Sequence, residues 1–368
     1  MDTFLRNAIH TICPAIQLVV RWRGREIFAR AYGWLDPELR REPVTLTSRF
    51  DLASLTKLFA VTALMRLEEE GALTLEQPIS TVLPAFRGIR PIKPYEAPLQ
   101  PGALIAVTTE PGSVEAATIT FRQLLTHTSG LPAWRPLYRQ PTAAAAREMA
   151  LQTFFSYRPG THVVYSDIGL ILVGLALERL TGESLETLIQ QRVLAPLGLE
   201  HTGYSPSPEM RGESAPTEFC RWRGRRIRGA VHDENAYRLG GVAAHAGLFS
   251  TAADLAAFGQ SFLDEPPPLL RPSTIAMMTA LQAEEGSVQR GLGFALWQRQ
   301  TADSARYIFG HTGFTGTWLW IDPERELVIS FLTNEVYHGR QGRKIAALRV
   351  AVRHLLLTTL DDCVEMDA

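Results

Sequence analysis

A chain of 368 residues, 46% hydrophobic and 20% charged, carries enough apolar side chain for a large core and is neither disordered nor fibrous. Its formal net charge of −1 generates no overall field that would draw it to nucleic acid or to an anionic bilayer. Cys13, Cys220 and Cys363 stand far apart and outside any C-x-x-C spacing, which indicates neither a disulfide framework nor a zinc site and fits a reducing compartment.

The first twenty residues contain an apolar run, but His10, Pro14 and Gln17 interrupt it and no small-residue cleavage site follows. A short helix and a strand are expected there rather than an export signal, and the protein is expected to be cytoplasmic. Residues 15–33 predict a β-hairpin turning at Gly24. After a polar loop, Ser54 precedes LTKLFAVTALMRLEEEG, apolar on nearly every side until Arg66 and closed by Gly71, so this helix belongs in the centre of the molecule. Residues 84–112 hold Pro84, Pro91, Pro94, Pro98, Pro101 and Pro111; that density predicts a long surface excursion without regular elements, placed where it could serve as a lid. Helical patterns follow at 120–126, 141–155, 168–181, 184–194 and 252–263, then strand-like runs at 292–298, 305–311, 316–322 and 326–333, and a final helix at 343–358. No segment approaches the roughly 18 uninterrupted apolar residues of a membrane span.

Lysine is scarce: Lys57, Lys93 and Lys344 stand against 34 arginines. Unlike arginine, a lysine can lose its proton on desolvation and act as a base. Ser54 and Lys57, at i and i+3 on a helix, face the same way, so an uncharged Lys57 could take the Ser54 proton and make the hydroxyl a nucleophile. A capping serine followed by a snorkelling lysine would give the same spacing. Two further stretches separate these readings. YSDIGLILVGLALERLTG opens with Tyr165, Ser166 and Asp167 before an apolar helix, and GHTGFTG carries His311, Thr312 and Gly313. With them the chain resembles the S-x-x-K acyl-serine hydrolases: serine β-lactamases (class C in particular), penicillin-binding D,D-peptidases and the β-lactamase-like family VIII esterases. LLTHTSGLP, VLAPLGLEHTGY and HAGLFSTAADLAAF resemble connecting segments of the same family.

The resemblance implies roles. Ser54 would be acylated, Lys57 would be its general base, and Tyr165 would pass a proton to the leaving atom and later activate water. Phe314 would give its backbone N–H to an oxyanion hole shared with Ser54, and Thr312 and Gly313 would form the strand edge along which substrate lies. A plain turn glycine is the alternative for Gly313. His311 stands where many members have lysine, as in the esterase-like members, and its charge is expected to vary with pH. Asp167 stands where asparagine is usual; it cannot donate an amide hydrogen bond, but it can pair with Lys57 or receive a substrate amine, and efficient β-lactamase activity is not expected. Residues 214–252 resemble a subgroup pairing Y-S-D with V-H-D-E-N, which includes muropeptide-acting amidases and low-molecular-mass penicillin-binding proteins. His232, Asp233 and Glu234 would then line the cleft for substrate recognition, unless they cap nearby helices. A metal site from His232 and His245 lacks ligand spacing. RWRGRRIR holds five arginines but reads as a second hairpin tipped by Gly224, a solvated or carboxylate-binding rim rather than a nucleic-acid patch.

These readings converge on an α+β fold of the β-lactamase/D,D-peptidase type: an antiparallel sheet flanked by helices, built from 1–53 and 290–368, with a mainly helical part from 54–289. The expected activity is hydrolysis of amides or esters through acyl-Ser54, with no metal or organic cofactor, on a small molecule or short peptide. A muropeptide-like amide is the first reading and a broad carboxylesterase the second. A non-hydrolytic β-lactam- or peptide-binding sensor that keeps the fold is the alternative of another class.

Overall fold

The structure, a computed structural model, describes residues 1–298 and 307–366. Its spine is an eight-stranded antiparallel sheet drawn from both ends of the chain. Strands β1 (Ala15–Trp22) and β2 (Arg25–Gly33) form the early hairpin. Arg23 and Gly24 take φ 50° and 72° in its turn, the doubly left-handed geometry that follows the twist of the flanking strands. The later strands are β3 (Ala283–Glu285), β4 (Val288–Arg290), β5 (Ala295–Trp297), β6 (Ile308–Thr312), β7 (Trp318–Asp322) and β8 (Leu327–Thr333). β8 pairs with β1, giving the order β3-β4-β5-β6-β7-β8-β1-β2. The late set thus has six strands where four are expected. Glu284, Glu285, Gln289 and Arg290 hide β3 and β4 from a hydrophobic pattern, and pairing at the sheet edge makes them strands. Residues 305 and 306, expected to begin a strand, lie outside the described residues, as does the Cys363 side chain.

The helices include α1 (Asp2–Thr11), α2 (Thr56–Glu69), α3 (Asp167–Thr181), α4 (Ala252–Gln260) and α5 (Ile345–Met366). Alternation along the strands sorts them into layers. Ile16, Leu18 and Val20 of β1, with Leu327, Ile329 and Phe331 of β8, face Leu5 and Ala8 of α1 and Leu348 and Val352 of α5. Val19, Val328 and Leu332 point the other way into the main core, shared with α2, α3 and α4. Eleven residues of α2, including Lys57, are buried, so the predicted central helix is central.

Two expected surface segments are more ordered than their composition suggests. Within 84–112 and its flank, Ile89–Pro91 pairs with Ser113–Glu115 and Tyr95–Glu96 with Leu104–Ile105; ladders of two or three residues tolerate nearby prolines because few N–H groups are needed. The second hairpin forms as expected, Phe219–Cys220 against Arg225–Arg226. Its arginines serve the protein itself: Arg223 donates to the carbonyls of Val231 and His232, and Arg226 to those of Thr217 and Tyr337. Among the described residues no helix is long and apolar enough to cross a membrane.

Candidate active site

Ser54 lies in a 3₁₀ turn, Ala53–Leu55, that runs directly into α2. Ala53 has φ 47°, a left-handed conformation that costs a side-chain-bearing residue about 1–2 kcal/mol. Asp51 holds it there: one carboxylate oxygen accepts the Ala53 N–H at 2.8 Å and the other accepts the His232 N–H at 2.6 Å. The bend leaves Ser54 half-buried while its neighbours Leu52, Ala53 and Leu55 go into the core. Backbone strain over-determined by its surroundings is typical of functional positions.

Lys57 is 1% exposed, and its amine makes three contacts. It donates to Ser54 Oγ at 3.0 Å and to the His245 carbonyl at 2.9 Å, and it pairs with Asp167 Oδ1 at 2.7 Å. The ring of Tyr165 lies 4.8 Å from Nζ. The one-turn spacing of serine and lysine therefore brings the two groups together. The charge expected for the lysine is corrected, however. Burial works against the ammonium, but Asp167 and Tyr165 outweigh it and hold the amine above its ordinary pKa, which favours the charged amine over the free one.

Tyr165 precedes α3, whose N-cap Ser166 accepts from Gly169 N. Its hydroxyl is buried with no hydrogen bond of normal geometry among the described residues. Burial pushes its pKa up while Lys57 pulls it down. Three further groups surround the ring: His127 at 4.7 Å between centroids, His311 at 5.6 Å, and the Arg290 guanidinium at 5.3 Å. His127 Nδ1 accepts the Ser166 N–H at 3.1 Å, and burial with Arg290 and Lys57 nearby pushes its pKa well down. His311 Nδ1 donates to the Thr312 carbonyl at 2.8 Å. Burial, then Arg290 and Lys57, push it down to about 3. The pH-variable charge expected of His311 is thus corrected: the ring is neutral across the physiological range.

His311 and Thr312 end β6, and the turn that follows is stitched to the segment before Ser54. Thr315 Oγ1 donates to the Asp51 carbonyl at 2.7 Å and Thr317 Oγ1 to the Leu52 carbonyl at 3.0 Å. A Cβ on Gly313 would lie 2.0 Å from Thr317 Oγ1 and 2.6 Å from the Leu52 carbonyl oxygen, so close approach explains this glycine. Phe314 is clamped, with the His232 ring stacked on it at 5.4 Å and the Arg343 guanidinium over it at 4.6 Å. Arg349 of α5 donates to the carbonyls of Gly313 and Thr317.

The Beta-lactamase family profile matches residues 5–353. The chain belongs to the Beta-lactamase family. It is 33% identical to an N-acetylmuramyl-L-alanine amidase of Bacillus subtilis (strain 168), over 91% of this chain and 80% of that protein. It is 28% identical to a putative D-alanyl-D-alanine carboxypeptidase of Escherichia coli (strain K12), over 91% and 81%. Among solved structures its fold is similar to an octameric penicillin-binding protein homologue from Pyrococcus abyssi (TM-score 0.71, 22% identity, covering 95% of this chain and 76% of that one). A class C beta-lactamase mutant is similar too (TM-score 0.71, 19% identity, 91% of each chain).

Within this Beta-lactamase family chain, the V-H-D-E-N segment shows the helix-capping alternative at Asp233, and both His232 and Asp233 have internal partners. His232 Nε2 meets Glu218 Oε1 at 2.7 Å, and Asp233 caps the 234–238 helix through Ala236 N at 2.7 Å while meeting His245 Nε2 at 2.9 Å. Glu234 pairs with Arg340, which also holds Glu218 at 2.6 Å. The segment braces the site: His232 ties Asp51 to Phe314, and Asp233 holds the residue whose carbonyl receives Lys57. His127, Arg290, His245 and Arg349 were not singled out as site residues from the sequence. They come from elements remote in the chain; only the resemblance of the LLTHTSGLP and HAGLFSTAADLAAF segments hinted at two of them. Among the described residues no group of three or more His, Cys, Asp or Glu side chains is placed to hold a metal ion.

Proposed function

We propose that the protein is a hydrolase of muropeptide-like amides, acting through an acyl-Ser54 intermediate with Lys57 and Tyr165 as its proton-handling groups. The observation that carries this reading is Lys57 Nζ at 3.0 Å from Ser54 Oγ and 4.8 Å from the Tyr165 ring, a nucleophile–base contact at the mouth of a buried helix. Ser54 attacks the substrate carbonyl; the backbone N–H groups of Ser54 and Phe314 receive the oxyanion, each donor contributing about 3 kcal/mol in sites of this kind. The proton passes by way of Lys57 and Tyr165 to the leaving nitrogen, and water then releases the acyl group. The amide preference draws support from the Bacillus subtilis relative's name. The catalytic unit is the whole chain, its α/β part from 1–53 and 290–368 and its helical part from 54–289 meeting at Ser54. Free, buried Cys13 and Cys220 suit a reducing cytoplasm.

A carboxylesterase is the second reading, favoured by the neutral His311 in place of a lysine that would bind an anionic β-lactam. A panel of short p-nitrophenyl esters, a chromogenic cephalosporin, D-Ala-D-Ala peptides and MurNAc-L-Ala peptides separates the two. Turnover of the muropeptide amides that disappears in Ser54→Ala supports the proposal; turnover limited to esters replaces it with the second reading. No Ser54-dependent turnover of any substrate leaves the binding-protein alternative.

A further inference from the structure

The general base of the proposed reaction lies 2.7 Å from a carboxylate, a contact that favours the ammonium against the effect of burial. Lys57 Nζ lies within 3.0 Å of Ser54 Oγ, the His245 carbonyl oxygen and Asp167 Oδ1 at once, and as an ammonium it has no lone pair to offer. We propose that Asp167 is where the obstructing proton goes: when substrate seals the cleft, Lys57 hands one proton to Asp167 and becomes the neutral amine that activates Ser54. This deepens the Ser54 reading and rests on it.

The geometry points to this transfer in two ways. The pair is asymmetric in burial, with the Lys57 side chain 1% exposed and that of Asp167 21%. Asp167 is therefore the member of the pair that solvent still reaches. Covering it removes the water that supports the ion pair; in a dry site the neutral tautomer competes with separated charges because desolvation opposes both ions at once. The transfer itself is short and balanced: the Nζ–H bond to Asp167 breaks and an Oδ1–H bond forms, with no proton exchanged with solvent. Rotation about Cε–Nζ then turns the lone pair to Ser54 while the remaining N–H groups keep the His245 carbonyl and an Asp167 oxygen as acceptors. Next the Ser54 Oγ–H bond breaks, an Nζ–H bond forms, the Oγ–C bond forms, and the carbonyl π pair moves to oxygen.

The groups around the pair come from several elements. Tyr165 and Asp167 meet Lys57 from the start of α3, Ser54 from its own helix, and the His245 carbonyl from the loop before α4; His127, Arg290 and His311 lie just beyond. His127 and His311 are neutral and pushed down, Tyr165 is pushed up, and Arg290 stays cationic. His245 itself faces Asp233 and touches Lys57 only through its carbonyl.

The test is the pH profile of Ser54 acylation, followed as the p-nitrophenol burst from p-nitrophenyl acetate, in wild type, Asp167→Asn and Asp167→Ala. Internal transfer conserves the pair's proton, so the wild-type rate is level between about pH 6 and 8.5. In Asp167→Asn the amine must lose its proton to solvent, and the rate climbs about tenfold per pH unit below the amine's apparent pKa. Formate restores Asp167→Ala by supplying the missing carboxylate. A wild-type rate that itself climbs tenfold per unit through this window overturns the inference without recourse to any variant. Ser54→Ala run alongside separates the levels: a burst that survives in it removes the nucleophile and the inference together, whereas a burst that needs Ser54 but fails the profile test removes the inference alone.

Discussion

At the scale of single residues, the motif residues were legible because the chemistry dictates them: a serine needing an amine one helical turn away, and a tyrosine entering from another element. Their charge states were not legible. The ionisation of Lys57 depends on a carboxylate 110 residues downstream, and that of His311 on Arg290, neither of which spacing reveals. His232 is hard to read from sequence for the same reason; a histidine in a polar run looks available, yet it is stacked on Phe314 and hydrogen-bonded to Glu218. If His232 acts only by supporting Phe314, His232→Ala should lower kcat about ten- to a hundredfold with little change in KM. Equal losses in kcat and gains in KM would point to substrate contact instead. Ala53 offers a second residue-level check: Ala53→Val, a β-branched side chain at positive φ, should cost more than about 2 kcal/mol by urea unfolding, while Ala53→Gly should be near neutral.

Elements were legible where periodicity and burial agree. The β1–β2 hairpin, the strands that begin at 318 and 327, and the buried α2 all carry an apolar pattern and a turn or stop signal. β3 and β4 do not, since strands at a sheet edge can be polar and still complete the ladder. Contacts between elements were not legible at all, and glycines show it most clearly. Gly259 reads as a helix-weakening residue in α4, but a Cβ there would lie 2.8 Å from Val328 Cγ1 and 3.0 Å from Leu319 Cδ1. Gly259→Ala should therefore destabilise by about 1–3 kcal/mol despite alanine's better helix propensity; a rise in Tm would contradict that packing. Gly313→Ala meets backbone and Thr317 instead of a flexible tip, and should abolish turnover by moving Phe314 while the fold persists by circular dichroism.

For the whole molecule, two chain ends form one sheet and the interior of the chain supplies the opposing wall, so the site depends on the entire fold. Acid stability reflects that. His311 is pushed down to about 3 and His127 well down. An unfolded imidazole binds its proton below about pH 6.5, whereas these two refuse it in the folded state. Lowering the pH from 6.5 toward 3 thus favours the unfolded chain, and Tm should fall through that window. Replacing both histidines by glutamine should flatten the decline, and an unchanged slope would place it elsewhere, for example at Glu218. The central claim, that Ser54 becomes acylated with the aid of Lys57, is tested most directly by mass spectrometry of the protein quenched during turnover of an activated ester. The account predicts one acyl group, located on the peptide containing Ser54 and absent from Ser54→Ala and Lys57→Ala. Acyl groups on other residues, or full hydrolysis by Ser54→Ala with no adduct anywhere, would contradict it.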